Sequence, residues 1–336
     1  MSKNLAYGGQ AVIEGVMMRS PRFFSIACRK PDGSIVVREE NVERSWLGRL
    51  RWLDKPLLRG TLALIDAMTL GMRALSFSAS VQADQIGADI SPAGSSTGAV
   101  REPEVRDAPL PDAGNARPGQ RSRVNDIAIG STMAFAVCFG VVLFVALPTF
   151  LTQESQRALR VTNSYALNVV DGVIRIAIFL AYIALIARMD NIRRVFEYHG
   201  AEHKAINTFE AGLPLTMENC LKSSRIHPRC GTSFIIVVLL ASVLVHCLFQ
   251  RPPNAAVRIA LHVSLIPLVA GVAYEIIRLA GRYRDAALAR WLLAPGLWTQ
   301  RLTTREPDET QVEVALTALR TVVDREDGVA PAQAVA

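Results

Sequence analysis

Two stretches of this chain carry no charged residue at all, Ile127 to Gln153 and Gly231 to Gln250. Runs of this length meet the roughly 20 residues that a helix needs to cross a hydrocarbon core. Two further apolar segments are less clean. Asn163 to Ala187 carries Asp171 and Arg175 near its start, and Ala255 to Ala280 carries Arg258 and Glu275 near its ends. The pattern predicts a mainly α membrane protein with about four transmembrane helices.

What flanks the spans predicts a small α+β domain. Phe23 to Arg29 and Ser34 to Glu40 are extended candidates around Lys30-Pro-Asp-Gly33, a sequence suited to a tight turn. Ahead of them, Gly8-Gly-Gln-Ala-Val-Ile-Glu-Gly-Val-Met-Met-Arg19 places glycines where the backbone needs unusual angles or close approach. Asp54-Lys-Pro56 opens a helix whose apolar stripe is Leu57, Leu58, Leu62, Ile65, Met68, Met72 and Leu75, interrupted by Arg59, Asp66 and Arg73. The preferred expectation is an interfacial helix lying on the membrane, and a core helix of the soluble domain is the alternative. Asp84 to Arg123 reads as a disordered linker rich in Ser, Gly, Pro and Ala. After the last span Pro295-Gly296 breaks the chain, and Asp308-Glu-Thr-Gln311 forms a capping-box sequence ahead of Val312, Val314, Ala315, Leu316 and Leu319.

The expected organisation is therefore a β-rich unit plus interfacial helix (1–83), a linker (84–123), spans one and two (124–190), a cytoplasmic segment (191–230), spans three and four (231–281) and a cytoplasmic C-terminal segment (282–336). The hairpin, the 188–229 loop and the C-terminal helix together build the domain.

The net charge of +7 invites a nucleic-acid reading, but its placement excludes one. Lys and Arg number 17 before the first span and seven from Arg188 to Arg229, against Arg157 and Arg160 between spans one and two. This is the positive-inside pattern of an inner-membrane, multi-pass protein with both termini cytoplasmic. Membrane lipid is the expected partner, with nucleic acid excluded and oligomeric state open. The first 20 residues lack a signal-peptide layout. The five cysteines show no C-x-x-C pairing, and those on the cytoplasmic side (Cys28, Cys220, Cys230) are expected to be reduced.

The candidate chemistry lies in His199-Gly-Ala-Glu-His203, an H-x-x-E-H sequence of the inverted-zincin type. On a helix the two histidines are about 40° apart around the axis and roughly 6 Å apart along it, so both imidazoles reach one ion. Glu202 lies about 60° to the other side of His199, close enough to serve as a base. Gly200 weakens the helix by about 1 kcal/mol, which points to close packing or a bend. Two histidines leave a divalent ion, zinc by type, short of a ligand. His227, Cys230 and Glu275 all fall at the cytoplasmic membrane face, and each is a candidate third ligand. Glu275 has a competing role as the partner of a cation such as Arg278. His246 and His262, at similar depth near the far ends of spans three and four, form a weaker candidate pair for haem. Asp171 and Arg175 neutralise one another.

Four blocks in order carry a resemblance: Gly8 to Arg19, Glu197-Tyr-His-Gly-Ala-Glu-His-Lys204, His227-Pro-Arg-Cys-Gly-Thr-Ser-Phe234, and Leu302-Thr-Thr-Arg-Glu-Pro-Asp308. The chain resembles the YqhQ-like family of multi-pass membrane proteins over roughly 4–80 and 124–322. That family's metal dependence is itself inferred, and no substrate follows from it. The resemblance implies a metal site at His199, Glu202 and His203 with His227 and Cys230 as the second block. It also suggests that Gln10 or Glu14 joins the site. The expected function is a zinc-type hydrolase at the cytoplasmic membrane face, acting on a lipid, peptide or small molecule, with Glu202 as base. The competing expectation is a non-catalytic metal-binding scaffold, lipid-handling or transport component.

Overall fold

A computed structural model describes residues 7–42, 55–89, 131, 134–136, 138–160, 163–252, 254–283 and 286–328. Strands β1 (Gly8–Val12), β2 (Gly15–Arg19), β3 (Phe23–Arg29) and β4 (Ile35–Asn41) form an antiparallel sheet in chain order. The glycine-rich block is thus a hairpin, Val12 pairing with Gly15 across a turn in which Glu14 adopts φ 50°. Its strand alternation is hard to see in the sequence because both sheet faces are buried. Val16, Met18 and Ala27 face one core; Val12, Met17, Phe24, Ile26 and Cys28 face another. The Lys30–Gly33 turn forms as expected, with Gly33 at φ 88° and its N–H donating to Lys30 O.

Nine helices are described: α1 (Leu58–Asp89), α2 (Leu147–Leu159, led in by a π-turn), α3 (Ser164–Ile186), α4 (Asp190–Glu210), α5 (Met217–Lys222), α6 (Gly231–His246), α7 (Ala255–Arg282), α8 (Ala287–Thr303) and α9 (Glu309–Glu326). Helices α4 and α9 cover one sheet face. The capping box at Asp308 and Gln311 starts α9, and Val312, Val314, Ala315, Leu316 and Leu319 are its buried side.

Helix α1 packs on the sheet through a side other than the apolar stripe read from the sequence. Leu70 and Ala74 enter the second sheet core, while Met68 and Met72 are 62% and 51% exposed. The apolar stripe read from the sequence points largely outward, and the small residues point inward. The first turns of α1 pack on α7, where Arg59 holds Glu275 and Thr61 Oγ1 donates to Pro267 O. The expected cap, Asp54, lies outside the described residues.

Among the described residues, four helical segments are long and apolar enough to cross a membrane: Leu58–Ala83, Ala134–Ala158, Ser164–Ile186 and Ala255–Ala280. The number matches the expectation, but the set does not. Helix α6, expected as the third span, has only 16 residues, a rise of about 24 Å. The chain leaves the helix after His246 through a tight turn, and α1 supplies the fourth long segment. Helix α6 packs Val237, Ala241 and Val245 on Val269 and Ala273 of α7. The membrane-length segments carry exposed apolar side chains such as Phe150, Val173, Leu185 and Ile266, as lipid-facing surfaces do.

Pro295-Gly296 was expected to end a helix, yet α8 runs through both. A proline forfeits one ladder bond and bends the helix. Here Gly296 sits against Ser233 of α6, and Gln300 one turn on is fixed by three hydrogen bonds, so packing holds the helix together. Of the expected linker, residues 84–89 continue α1 and 90–123 lie outside the described residues.

Candidate metal centre

Helix α4 positions the H-x-x-E-H residues on its buried side, with His203 1% and Glu202 4% exposed. The ring centroids of His199 and His203 are 4.4 Å apart. Cys230, the residue that caps α6, completes a group of three whose ligand atoms all lie within 4.8 Å of one another. His199 Nε2 is 3.2 Å from Cys230 Sγ. Tetrahedral coordination with Zn–N and Zn–S distances of about 2.0 and 2.3 Å implies an N···S edge of roughly 3.5 Å, so little movement is needed.

The hydrogen bonds behind the rings decide which nitrogens face inward. His199 Nδ1 lies 2.8 Å from Thr303 O, and His203 Nδ1 lies 2.7 Å from Arg225 O. A carbonyl only accepts, so each Nδ1 carries the hydrogen and donates it. In the neutral imidazole the lone pair is then on Nε2, toward Cys230. Orientation of a ligating histidine by a backbone carbonyl is the usual outer support of a metal site. His203 Nε2 is fully buried and finds no hydrogen-bond partner among the described residues. An unpaired buried nitrogen is unfavourable, and a metal ion is one group that would satisfy it. Burial pushes the His203 imidazole below its ordinary pKa, keeping it neutral, as ligation requires. Cys230 Sγ lies at the positive end of α6, where negative charge is favoured.

Glu202 stands beside this group, its Oε2 3.9 Å from His199 Nε2. Burial pushes its carboxyl above the usual carboxylate range, against the opposing pull of His199, His227 and the Gly9 amide. Gly9 brings β1 against the carboxylate; a Cβ there would lie 2.8 Å from Glu202 Cγ. The first block therefore reaches the site through Gly9. Gln10 lies against Gly71 of α1, and Glu14 is held by Arg194 at 2.5 Å and by Tyr198.

The remaining candidates separate. His227 is buried with its ring 5.7 Å from that of His203, but its Nε2 faces Glu210 at 3.4 Å. Burial lowers its pKa also. Glu275 is not in the group: Arg59 holds both its oxygens, at 2.7 and 2.5 Å, which is the cation-pairing role with a different arginine from Arg278. His246 and His262 stack with centroids 4.1 Å apart and planes 23° from parallel, which leaves no room for a macrocycle between them.

Several supporting residues escaped the sequence reading. Lys204 Nζ donates to Leu221 O and Ser223 O, and Asn207 donates to Ser224 O and Ile226 O. These bonds fix the loop that presents Arg225 O to His203. Thr303 lies inside the fourth resemblance block, which was the available signal for it. Gly200 is explained by the same block: a Cβ would lie 2.0 Å from Arg305 O, so only glycine admits the strand after α8.

The architecture is thus a helical protein of membrane-spanning composition whose sheet domain encloses a buried two-histidine, one-cysteine cluster. The family described as "Protein of unknown function (DUF1385)" matches residues 55–325. The Bacillus subtilis (strain 168) "Uncharacterized protein YqhQ" is 34% identical over 315 residues, 93% of this chain and 90% of the relative. The chain belongs to this YqhQ-like family, for which no function is established. No solved structure matches it.

Proposed function

We propose that the chain is a metal-dependent membrane enzyme, a hydrolase of zinc type working at the cytoplasmic membrane face. The observation that carries this is the gathering of His199, His203 and Cys230 with both imidazoles locked by backbone carbonyls, His203 Nε2 being buried and unmatched by the geometric hydrogen bonds among the described residues. His199, His203 and Cys230 would hold the ion. A divalent metal bound there supplies Lewis acidity and makes a water nucleophilic near neutral pH. Glu202, outside the ligand group and biased by burial toward holding a proton, takes the role of general base. The Gly9 amide orients its carboxylate, and burial on α4 keeps bulk water from it. Membrane-length helices and the bias of Lys and Arg toward the 188–229 loop support a lipid or membrane-bound peptide as substrate, with both termini cytoplasmic.

A second reading is supported by the depth of the cluster. Its outer contacts join α4, the 223–226 loop, the end of α8 and β1, so a metal would fasten four segments as a structural site does. Elemental analysis of the full chain tests metal binding: wild type should retain a stoichiometric divalent ion that His203→Ala and Cys230→Ala lose. An ion-free wild type, with no ion taken up on incubation with zinc, overturns both readings. Glu202→Gln then divides them. In an enzyme it keeps the metal and abolishes turnover of the screened lipid or peptide esters and amides, whereas in a structural site it changes neither metal nor Tm.

A further inference from the structure

The far end of the bundle holds a second polar cluster that the metal centre does not use. Helix α6 runs from Cys230 to His246, so this cluster lies about 24 Å from the candidate metal centre. A small opening, no larger than a water molecule in this arrangement of side chains, is lined there by Arg251, Arg258, His246 and His262. All four are buried or nearly so; Arg251 is 7% exposed at its side chain and Arg258 4% overall.

The charges do not balance. Asp171 is the one carboxylate that the described contacts bring to the cluster, and Arg175 engages it directly at 2.6 Å. Arg251 approaches Asp171 no closer than 4.0 Å, and its Nε and Nη2 have no hydrogen-bond partner among the described residues. Arg258 reaches only Gln153 Oε1 at 3.3 Å, and its Nε is likewise unpartnered. Among the described residues, the guanidiniums of Arg175, Arg251 and Arg258 therefore have one carboxylate, Asp171, between them. Burying such groups is strongly unfavourable unless they are paired.

The histidines add a second selectivity. His246 Nδ1 donates to Ser242 O, which in the neutral ring leaves the Nε2 lone pair; that atom is buried and unpartnered among the described residues. It calls for a ligand that carries a hydroxyl donor as well as negative oxygens.

We propose that this pocket binds a phosphate-type oxoanion: hydrogen phosphate, or the phosphate of an anionic lipid whose headgroup carries a hydroxyl. Arg251 and Arg258 present planar N–H forks that match phosphate oxygens. The P–OH of hydrogen phosphate, or a glycerol headgroup hydroxyl, donates to His246. The site opens at the opposite end of the bundle from the sheet domain, where a membrane-spanning bundle would meet the other headgroup layer.

The test uses the full chain, delipidated in neutral detergent, with Tm as readout. Inorganic phosphate is titrated at constant ionic strength against chloride. A parallel arm adds phosphatidylglycerol, compared with zwitterionic phosphatidylcholine. A saturable rise with phosphate identifies the free anion, and a rise confined to phosphatidylglycerol identifies the headgroup. Either response should be at least about tenfold weaker in apparent affinity in Arg258→Gln and Arg251→Gln, and unchanged in Arg157→Gln, whose arginine is an exposed partner of Glu154. If Arg251→Gln does not fold, Arg258→Gln alone decides. No rise beyond the chloride and phosphatidylcholine controls, or an undiminished response in the folded arginine variants, overturns the proposal.

Discussion

Gly200→Ala sets two effects of opposite sign against each other. Within α4 the substitution should stabilise, since alanine is favoured over glycine in a helix by about 1 kcal/mol. The packing forbids that gain. The new Cβ would stand 2.0 Å from Arg305 O, where real Cβ contacts below 3.0 Å essentially never occur. The strand after α8 has to retreat by about 1 Å or more, and it is not free to do so. Arg305 N donates to Phe196 O at 2.8 Å, and Thr303 O, two residues back, orients His199. Overpacking of this kind costs about 1–3 kcal/mol, and weakening the Arg305 bond adds about 0.5–1.5 kcal/mol. The expected net is a loss of about 0.5–3.5 kcal/mol, seen as a lower Tm in detergent. Zinc affinity, measured by competition with a chromophoric chelator, should fall with it because His199 loses its backbone support. A Tm equal to or above wild type, as helix propensity alone requires, would refute the packing account.

Glu275→Gln should leave the retained metal unchanged, since Arg59 and not the cluster holds that carboxylate; metal loss on elemental analysis would return Glu275 to the ligand set. Gly9→Ala should displace Glu202 and lower Tm by an overpacking loss of about 1–3 kcal/mol, yet keep the ion, because no ligand atom is touched; simultaneous metal loss counts against this separation. At the start of α9, burial tends to raise the Asp308 pKa, but hydrogen bonds from Thr310 and Gln311 win and hold it below the ordinary value. Its contribution is thus present above the unfolded pKa of about 3.9 and lost as pH falls through the lower folded value. Asp308→Asn should retain Tm at pH 7 while flattening that acid limb, and Asp308→Ala should lose about 1 kcal/mol at neutral pH. Parallel acid profiles for wild type and Asp308→Asn would contradict the assignment.

Much of the site was legible because its chemistry is local. The four-residue spacing of His199 and His203 fixes their common face, and Cys230 was among three third-ligand candidates. The structure brings Cys230 beside His199 and His203. What the sequence hid is held by long-range contact. Gly9 touches Glu202 from a strand that shows no alternation, since β2 beside it is covered on both faces. The apolar stripe of α1 could be seen, but not that its small residues, Ala74 above all, would face the sheet. Pro295-Gly296 read as a break because ladder loss is a local effect, while the compensating Gln300 bonds reach 67 and 73 residues back along the chain. Helix α6 matched a span by hydropathy; its early end at His246 is set by a turn that apolar composition does not announce.

The pocket around His199 draws on segments far apart in the sequence: Gly9 on β1 and Thr303 at the end of α8, with Arg22 clasping Glu326 further out. A ribosome must therefore have extruded residue 303 before the cluster can close with this support. Chains cut short after the helical bundle would keep their hydrophobic segments but lack the carbonyl that steers one imidazole. A chain stopped before Glu309 would also leave the sheet without α9, one of the two helices on that face.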